Sequence, residues 1–588
     1  MRFPARRRWQ DAWRPGYSAG VDLTIVFGLG ALILGAGLGL RDPWPPDEPR
    51  FALMARDMAL SGQWLFPMRA GALYADKPPL FMWLIGVSYL LTGSLRIAFL
   101  LPGLLAGLGT LLLVYDLGRR LWDRQTGLAA SLLLLATFQF TLYARSGQID
   151  PVLTLWTTVA LYGLLRHLLL GPDWRWYWLA WAAAGAGIIT KGVGFLPLLL
   201  LVPWGYVKVR GWPSPALGGG AWKWAAGPAC LILAVAAWLA PMLTAVQVLD
   251  APGLEAYRNE ILLAQTVDRY VGPGGHLQPA WYFLVEIIPI FWLPLSALLP
   301  WLAPGWISDL RRRDPAVLLL LGWVALVILF FTLSPAKRGV YLLPALPAVV
   351  LAAAPRLPGL ANRRGVRMLA ICLSAAATVL LGVALLHFRV LDPAAGARVV
   401  SEQGVVPWAP LYAMVLTFGL IIVATRVRRA VPGLACIIAA YWLIGGWWLF
   451  PVISPAVSGA HFMATVASVL DARHELGIVR FKEKFLLHAG RPVTQFGYRR
   501  PDLDQELADA AAWLAKSPHR RLLVGEPGWE RCFEPVRSRF VASTSGRQWH
   551  LVPPQAATPA CVARGDPGRA IEYVPGEASL ARKNASID

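Results

Sequence analysis

The chain has 588 residues, of which 56% are hydrophobic and 15% are charged, with a formal net charge of +21 and a mean hydropathy of +0.51. Soluble domains carry about 25% charged residues, so this composition excludes a soluble multidomain enzyme, a disordered chain and a disulfide-rich scaffold. Lys and Arg collect in short clusters between apolar runs, which is typical of a membrane protein and not of a nucleic-acid-binding surface. The sequence therefore predicts an α-helical polytopic membrane protein.

Thirteen apolar runs are candidate spans, because a helix needs about 20 mostly apolar residues to cross the bilayer. An Arg-rich stretch from Arg2 to Arg14 precedes the first run, and no small-residue cleavage site follows it. We therefore expect an uncleaved first span with a cytoplasmic N-terminus. The runs are 21–40, 97–117, 127–143, 151–170, 176–190, 193–207, 222–242, 280–303, 315–333, 340–355, 368–387, 409–425 and 431–452.

Segment 79–92 is also apolar, but the distribution of charge speaks against a span there. If it crossed the membrane, the basic cluster at 119–124 and every later basic cluster would face outwards, against the usual orientation. We therefore predict an interfacial helix at 79–92 and an extracytoplasmic first loop at 41–78. A second short helix is expected at 49–60, because Pro49 suits a helix start and apolar residues recur there at helical spacing.

The composition changes at residue 456, where the chain becomes mixed and charged. The transmembrane part is thus expected to cover 1–455, with a small periplasmic α/β domain at 456–588. Residues Asp502–Ser517 have a helical pattern, and Arg521–Val524 and Phe540–Ser543 have strand-like patterns. Cys532 and Cys561 both lie in this domain, and in an oxidising compartment either a disulfide or two free thiols is open.

Both signs of charge are expected at the outer ends of the spans, in several different loops. Charges at membrane depth cost at least about 2.5–3.5 kcal/mol each, so those retained there are candidates for function. A transporter more often places its ionisable groups near the midplane, whereas these runs carry almost none there. The charges therefore predict one site at the outer interface. They are Asp47, Glu48, Asp76, Lys77, Arg145, Asp150, Lys191, Arg258, Arg269, His276, Lys337 and Arg338.

Chemistry outside the inner membrane needs an activated group that arrives on a lipid carrier, because no nucleotide pool exists there. A polyprenyl-phosphate-linked sugar would place its phosphate at the interface, where Lys and Arg neutralise it. A carboxylate there serves as general base for the acceptor or stabilises positive charge on the sugar. The sequence contains neither a Walker loop nor a Rossmann glycine fingerprint to suggest another chemistry.

Six motifs, in order along the chain, resemble the GT-C glycosyltransferases that use lipid carriers, the superfamily of ArnT and the protein O-mannosyltransferases. The layout of thirteen spans, two interfacial helices and an outer C-terminal domain also resembles ArnT. Asp76 and Pro79 depart from the ArnT pattern, which leaves the donor sugar open. The motifs are WPPDEPRFA at 44–52, LYADKPPL at 73–80, RSGQIDP at 145–151, TKG at 190–192, HLQPAWY at 276–282 and SPAKRGVYLLP at 334–344.

The resemblance implies an inverting transferase that moves a sugar from undecaprenyl phosphate to a periplasmic acceptor, with lipid A as first choice and 4-amino-4-deoxy-L-arabinose as one candidate sugar. It implies a multi-pass protein of the bacterial inner membrane. It also assigns Asp47, Glu48 and Asp150 to catalysis. Expected substrate-binding residues are Arg50, Tyr74, Lys77, Arg145, Lys191, His276, Lys337 and Tyr341.

Simpler interpretations remain beside these assignments. Asp47 and Asp150 are also typical of helix N-caps, and Lys77 and Lys191 of interface anchors. A divalent metal at the Asp47–Glu48 pair is open, although the nearby cations make it unnecessary for neutralising phosphate. The alternative functions are a flippase or carrier without chemistry, a transferase to a protein or another envelope glycan, and a docking scaffold.

Overall fold

The structure is a computed structural model, and it describes residues 19–251, 253–262, 277–497 and 502–576. The Arg-rich start of the chain therefore lies outside the described residues. Helices dominate up to residue 469, and a mixed sheet follows.

The chain is a multi-pass membrane protein. Within the described ranges, eight helical segments are long and apolar enough to cross a bilayer, or ten if each of two bent helix pairs is one span. Every predicted run coincides with a helical segment, but several segments are short, and the count of thirteen stays a prediction. The eight segments are Leu95–Leu121, Ile149–Leu170, Ala221–Leu249, Pro315–Leu333, Gly339–Leu360, Arg364–Leu391, Trp408–Thr425 and Val427–Ser458.

The remaining helices of this part are bent or shorter. The pair Arg124–Ala136 and Phe138–Ala144 bends by 70°, and the pair Phe283–Phe291 and Ser296–Arg311 bends by 102°. The second bend contains Pro294, which cannot donate a helical hydrogen bond. The others are Ala19–Gly35, Trp174–Lys191, Val193–Val209, Leu254–Asn259 and Pro393–Gln403.

The first loop folds as two helices and a hairpin. Helices Glu48–Ser61 and Leu80–Thr92 match the two expected segments within one residue. Each ends at a glycine, Gly62 at φ 75° and Gly93 at φ 63°, where a left-handed backbone closes the helix and an L side chain would be strained. Strands β1 (Met68–Arg69) and β2 (Ala72–Leu73) pair between them. The interfacial position of Leu80–Thr92 stays a prediction.

The C-terminal region contains a six-stranded mixed sheet with strand order β6-β7-β5-β3-β4-β8. Strand β3 runs parallel to β4 and β5, and the other pairs are antiparallel. The strands are β3 (Glu475–Ile478), β4 (Val493–Gln495), β5 (Arg520–Gly525), β6 (Arg539–Thr544), β7 (Arg547–Val552) and β8 (Ile571–Tyr573).

Alternation along β5 places its side chains on two faces of the sheet. Leu522 and Val524 pack with helix Leu503–Ala515 on one face, whereas Leu523 packs with helix Ala460–Val469 on the other. Asp502 caps Leu503–Ala515 by accepting the Asp504 N–H at 2.9 Å. The expected α/β fold is thus present, although the expected boundary at 455/456 falls within helix Phe450–Ser458.

Cys532 and Cys561 form a disulfide, with their Cα atoms 5.5 Å apart. Both are buried against Leu503–Ala515 and the sheet. The open alternative of two free thiols is therefore excluded.

The C-terminal sheet rests on the first loop. Tyr573 on β8 donates its O–H to Asp57 at 3.0 Å and accepts from Arg56 at 3.0 Å. The Gln495 side chain donates to the Ala70 carbonyl at 3.0 Å. Leu53 and Ala70 are fully buried in the core of the C-terminal domain. The domain therefore fixes the loop that carries Asp47.

Candidate active site

Asp47 lies at the N-cap position of helix Glu48–Ser61, but its side chain does not cap the helix. One carboxylate oxygen accepts from Arg50 at 2.5 Å, and the other accepts from Arg338 at 2.8 Å. Asp47 is 8% exposed. Capping as its role is therefore excluded, and the carboxylate joins the first loop to the loop before Gly339.

The two arginines keep Asp47 ionised. Burial alone would raise the pKa of Asp47, but the charges of Arg50 and Arg338 and the hydrogen bond from Arg338 hold that pKa below its ordinary value. In return, although burial lowers it, Asp47 raises the pKa of Arg338. The pair is an ion pair at neutral pH, with the Arg338 side chain one third exposed.

Asp150 and Lys191 form a second ion pair at 2.5 Å. Asp150 lies in the first turn of its helix and Lys191 is the last residue of helix Trp174–Lys191, so each charge suits the helix dipole at its position. The Lys191 ammonium also lies 4.7 Å from the centre of the Tyr341 ring, a cation–π contact. Both side chains are largely buried, at 5% and 13% exposure.

The two ion pairs lie close together. The Lys191 charge acts on Asp47, and Arg338 interacts electrostatically with Asp150 and Tyr341. Tyr143, at the end of its helix, lies within electrostatic reach of the same groups. Four distant parts of the chain thus supply one cluster, which we call the loop-side cluster: Asp47, Arg50, Asp150, Lys191, Arg338 and Tyr341.

Tyr74 and Lys77 follow the hairpin of the first loop. The Tyr74 ring is 1% exposed, and the Arg50 guanidinium lies 5.8 Å from its centre. Tyr74 therefore makes a cation–π contact with Arg50. Lys77 is half-buried and donates to the Asp76 carbonyl at 2.9 Å.

Glu48 is adjacent to Asp47 but has different partners. Its carboxylate accepts two bonds from Arg41, at 2.5 and 2.7 Å, and one from the Trp44 N–H at 2.7 Å. It also accepts from the Gly147 N–H at 2.9 Å. Four donors therefore saturate Glu48, which ties the start of the first loop to the turn before Ile149.

Two expected substrate-binding cations point elsewhere. The Arg145 guanidinium donates to the carbonyl oxygens of Ile33 and Ala36, the latter at 2.7 Å, near the end of the first helix. Lys337 is 5% exposed and donates to the Gln278 carbonyl at 2.9 Å. In this structure both charges have backbone carbonyls as partners, and substrate binding by these two residues stays a prediction.

His276 lies outside the described residues. Within the described ranges, no group of three His, Cys, Asp or Glu side chains is arranged to hold a metal ion. Arg50 and Arg338 each bond to one carboxylate oxygen of Asp47, so guanidinium groups neutralise the charge of this carboxylate.

Comparison with known proteins agrees with the fold. The family described as dolichyl-phosphate-mannose-protein mannosyltransferase matches residues 76–240. The solved structure of ArnT from Cupriavidus metallidurans bound to undecaprenyl phosphate superposes with a TM-score of 0.69 and 22% sequence identity, over 92% of this chain and 100% of that one. This is an ArnT-like GT-C fold. The resemblance expected from the six motifs is confirmed.

Two sequence relatives are arabinosyl transferases. An undecaprenyl phosphate-alpha-4-amino-4-deoxy-L-arabinose arabinosyl transferase of Pseudomonas aeruginosa (strain LESB58) is 31% identical over 55% of this chain and 57% of its own length. A transferase of the same name from Pectobacterium carotovorum is 29% identical over 64% of this chain and 68% of its own length. The match thus spans little more than half of the Pseudomonas relative.

Arg338 is among the outer charges but not among the expected substrate-binding residues, although it is one of the two cations that bond to Asp47. Arg338 lies beside Lys337 in the motif at 334–344, and sequence alone gives the two residues equal standing. The extended backbone at Arg338, at φ −134° and ψ 141°, sends adjacent side chains in opposite directions. A sheet-like alternation in that motif was the signal available.

Proposed function

We propose that this ArnT-like chain is an inverting glycosyltransferase that moves a sugar from undecaprenyl phosphate to lipid A at the periplasmic face of the inner membrane. The observation that carries the proposal is the pairing of Asp47 with Arg50 and Arg338 beside the Asp150–Lys191 pair. The arabinosyl transferase relatives and the ArnT fold support it. 4-Amino-4-deoxy-L-arabinose is the first sugar to test.

Arg50 and Arg338 bind the donor phosphate in this proposal. A guanidinium binds phosphate through paired hydrogen bonds. Both arginines bond to Asp47 here, so an incoming phosphate competes with Asp47 for them. Lys191, Tyr74, Lys77 and Tyr341 complete the donor side. The shared cations couple donor binding to release of the carboxylate.

The reaction breaks the bond between the anomeric carbon and the carrier phosphate oxygen, and forms a bond from that carbon to the acceptor oxygen on the opposite face. A hydroxyl acceptor gives its proton to Asp47. A lipid A phosphate is already ionised and needs no base. In that case the carboxylate stabilises positive charge on the sugar ring, which suits its low pKa. Asp150 keeps Lys191 in place.

Glu48, Arg145 and Lys337 are positioning residues in this proposal. Glu48 connects the first loop to Gly147, Arg145 binds the end of the first helix, and Lys337 binds the 278 loop. Each fixes a loop that carries a member of the loop-side cluster. We also propose a cytoplasmic N-terminus, a periplasmic C-terminal domain and an interfacial Leu80–Thr92 helix, which follow from the distribution of basic clusters.

Replacement of Asp47 by Asn tests the function. With undecaprenyl-phosphate-linked aminoarabinose and lipid A in nanodiscs, we expect the loss of transfer by Asp47→Asn to reach about 100-fold or more for a hydroxyl acceptor, and to be smaller for a phosphate acceptor. Asp57→Asn removes the same charge from the same helix, outside the cluster, and should retain transfer.

Full transfer by Asp47→Asn contradicts a catalytic role for this carboxylate. Wild-type protein that binds undecaprenyl phosphate but makes no glycosidic bond, with lipid A, protein or other envelope glycans as acceptor, supports the carrier alternative instead. Mass spectrometry of the acceptor distinguishes these outcomes and identifies the sugar.

A further inference from the structure

A cleft of about 600 Å³ lies between the C-terminal domain and the first loop, beside their direct contacts. Its walls contain five cationic side chains and two carboxylates. They are Arg69, Arg480, Lys482, Lys484 and Arg547, with Glu483 and Glu506. The cleft lies outside the loop-side cluster, and none of its lining residues belongs to the expected site.

Both carboxylates already have partners inside the protein. Glu483 forms an ion pair with Arg69. Glu506 accepts the backbone N–H of Arg480 at 2.7 Å. Among the described residues, no carboxylate pairs with the side chains of Arg480, Lys482 or Arg547. The cleft therefore has uncompensated positive charge.

Unusual backbone conformations position two of these cations, Arg480 and Arg547. Arg480 has φ 49°, a left-handed conformation that is strained for a residue with a Cβ. The bond to Glu506 holds it there. Arg547 follows the β6–β7 turn, where Ser545 and Gly546 have φ 56° and 70°, the conformation of a tight hairpin. Strain at a charged surface residue is typical of a functional position.

Lys484 is a buried cation in this positively charged cleft. It is 6% exposed, and among the described residues its one hydrogen bond is a long one, 3.4 Å, to the Val457 carbonyl. Burial and the neighbouring Lys482 charge lower the pKa of Lys484. A bound anion would relieve both effects.

The cleft borders the catalytic loop. Pro45, Pro46 and Pro49 line it, while Asp47 between them bonds to Arg50 and Arg338. Phe481 and Trp549 add aromatic surface beside the cations. A ligand in the cleft would thus contact the loop that carries Asp47, and the lining offers cations for phosphate and aromatic rings for sugar.

We propose that this cleft binds the phosphorylated saccharide headgroup of the glycolipid acceptor and positions it beside the Asp47 loop. The proposal rests on the proposed function. Arg480, Lys482 and Arg547 are the phosphate-binding residues, and the C-terminal domain determines acceptor specificity. The donor phosphate binds separately, at Arg50 and Arg338.

The test uses the full chain in nanodiscs of zwitterionic lipid, with bisphosphorylated lipid A, its dephosphorylated form and inorganic phosphate as three probes. Replacement of Arg480, Lys482 and Arg547 by Gln removes the unpaired cations. We expect about tenfold to hundredfold weaker binding of bisphosphorylated lipid A, because Gln keeps a hydrogen-bond donor but loses the charge that attracts phosphate. Dephosphorylated lipid A should bind equally weakly to both proteins.

A control variant removes the same charge from exposed positions of the same domain, with Arg531, Arg537 and Arg539 replaced by Gln. It should bind as the wild type does. Unchanged binding in the cleft variant overturns the proposal, as does an equal loss in the control. Competition by inorganic phosphate at the same concentration as lipid A also overturns it, because a free-phosphate site is then indicated.

The outcome separates this proposal from the proposed function. A cleft variant with normal lipid A binding and normal transfer, beside an inactive Asp47→Asn, contradicts the cleft and leaves the transferase standing. Phosphate-dependent lipid A binding lost in the cleft variant, without transfer by the wild type, supports the cleft and contradicts the transferase.

Discussion

Helix Ile149–Leu165 contributes to an ion-pair cluster near each end, through Asp150 and through Tyr162, which lie about 18 Å apart along the helix at about 1.5 Å per residue. At the far end, Asp116 accepts from Arg119, Arg120 and Tyr162. These arginines lie three and four positions after Asp116 in its own helical segment, Leu95–Leu121. At the near end, Asp47 and Arg338 are 291 positions apart, and Asp150 and Lys191 are 41 apart.

The difference teaches that burial of an ion pair does not by itself indicate a site. The ion pairs of Asp116 are local, because both arginines lie on its own helix. The neighbouring Asp22 bonds to Tyr115 and Arg124, which lie on two other helices. This far cluster neutralises charge at one end of the bundle. The loop-side cluster instead draws on the first loop, two span ends and a later loop. Convergence of two ion pairs from four segments in one cluster, rather than separation along the chain by itself, favours function.

The largest expected effect concerns Lys191. Lys191→Met leaves Asp150 buried without its partner, which should cost about 3–5 kcal/mol of stability and abolish transfer. The double variant Asp150→Asn/Lys191→Met should recover most of the stability but not the transfer. Tryptophan fluorescence during thermal unfolding measures the stability, and product formation measures the transfer. Restored transfer in the double variant would reduce the pair to a structural one.

Glu48→Gln should separate the two adjacent carboxylates. Its amide would face Arg41 and lose charge-assisted bonds, so we expect a loss of about 3 kcal/mol in stability. Transfer per folded molecule should fall far less than in Asp47→Asn, because Glu48 does not contact the loop-side cluster. Comparable stability with no transfer would instead place Glu48 in catalysis.

The contact between the first loop and the C-terminal domain should depend on pH through Asp57. Burial raises the pKa of Asp57 from 3.8 to about 6, and the Arg56 charge and the Tyr573 hydroxyl only partly offset it. Between these two pKa values the folded protein binds more protons at Asp57 than the unfolded chain does. The free energy of unfolding therefore falls as pH rises through this range, by at most about 3 kcal/mol, and the loss then stays constant at higher pH.

Asp57→Asn removes that dependence. Its unfolding midpoint relative to the wild type should therefore be higher at pH 7 than at pH 4, because other titrating groups cancel in the comparison. Glu530→Gln, on the exposed surface of the C-terminal domain, serves as control. A difference that does not change with pH would contradict the role given to Asp57.

The smallest expected effect lies at the far cluster. Asp116→Asn should cost about 1–2 kcal/mol of stability, because Tyr162 and the two exposed-edge arginines can turn to other acceptors or water. Transfer per folded molecule should remain at the wild-type level. Loss of transfer at normal stability would mean that the two ends of the helix are coupled, so that the far cluster would not be structural alone.

The sequence predicted the elements and the contributing loops well. Apolar runs located the helical segments because the bilayer demands about 20 apolar residues wherever a helix crosses it. Pro49 and the helical spacing after it located helix Glu48–Ser61. The motifs at 44–52, 145–151, 190–192 and 334–344 contain the members of the loop-side cluster, which local patterning and the resemblance both pointed to.

Tertiary structure decided which member of each charged pair faces the cluster. Asp47 and Glu48, and likewise Lys337 and Arg338, are adjacent and chemically alike, yet only Asp47 and Arg338 bond to each other. Side-chain direction depends on backbone angles and on where partners from remote segments arrive, and neither is encoded in a short window. The cationic cleft was beyond prediction for the same reason, because its walls come from the first loop and three separate parts of the C-terminal domain.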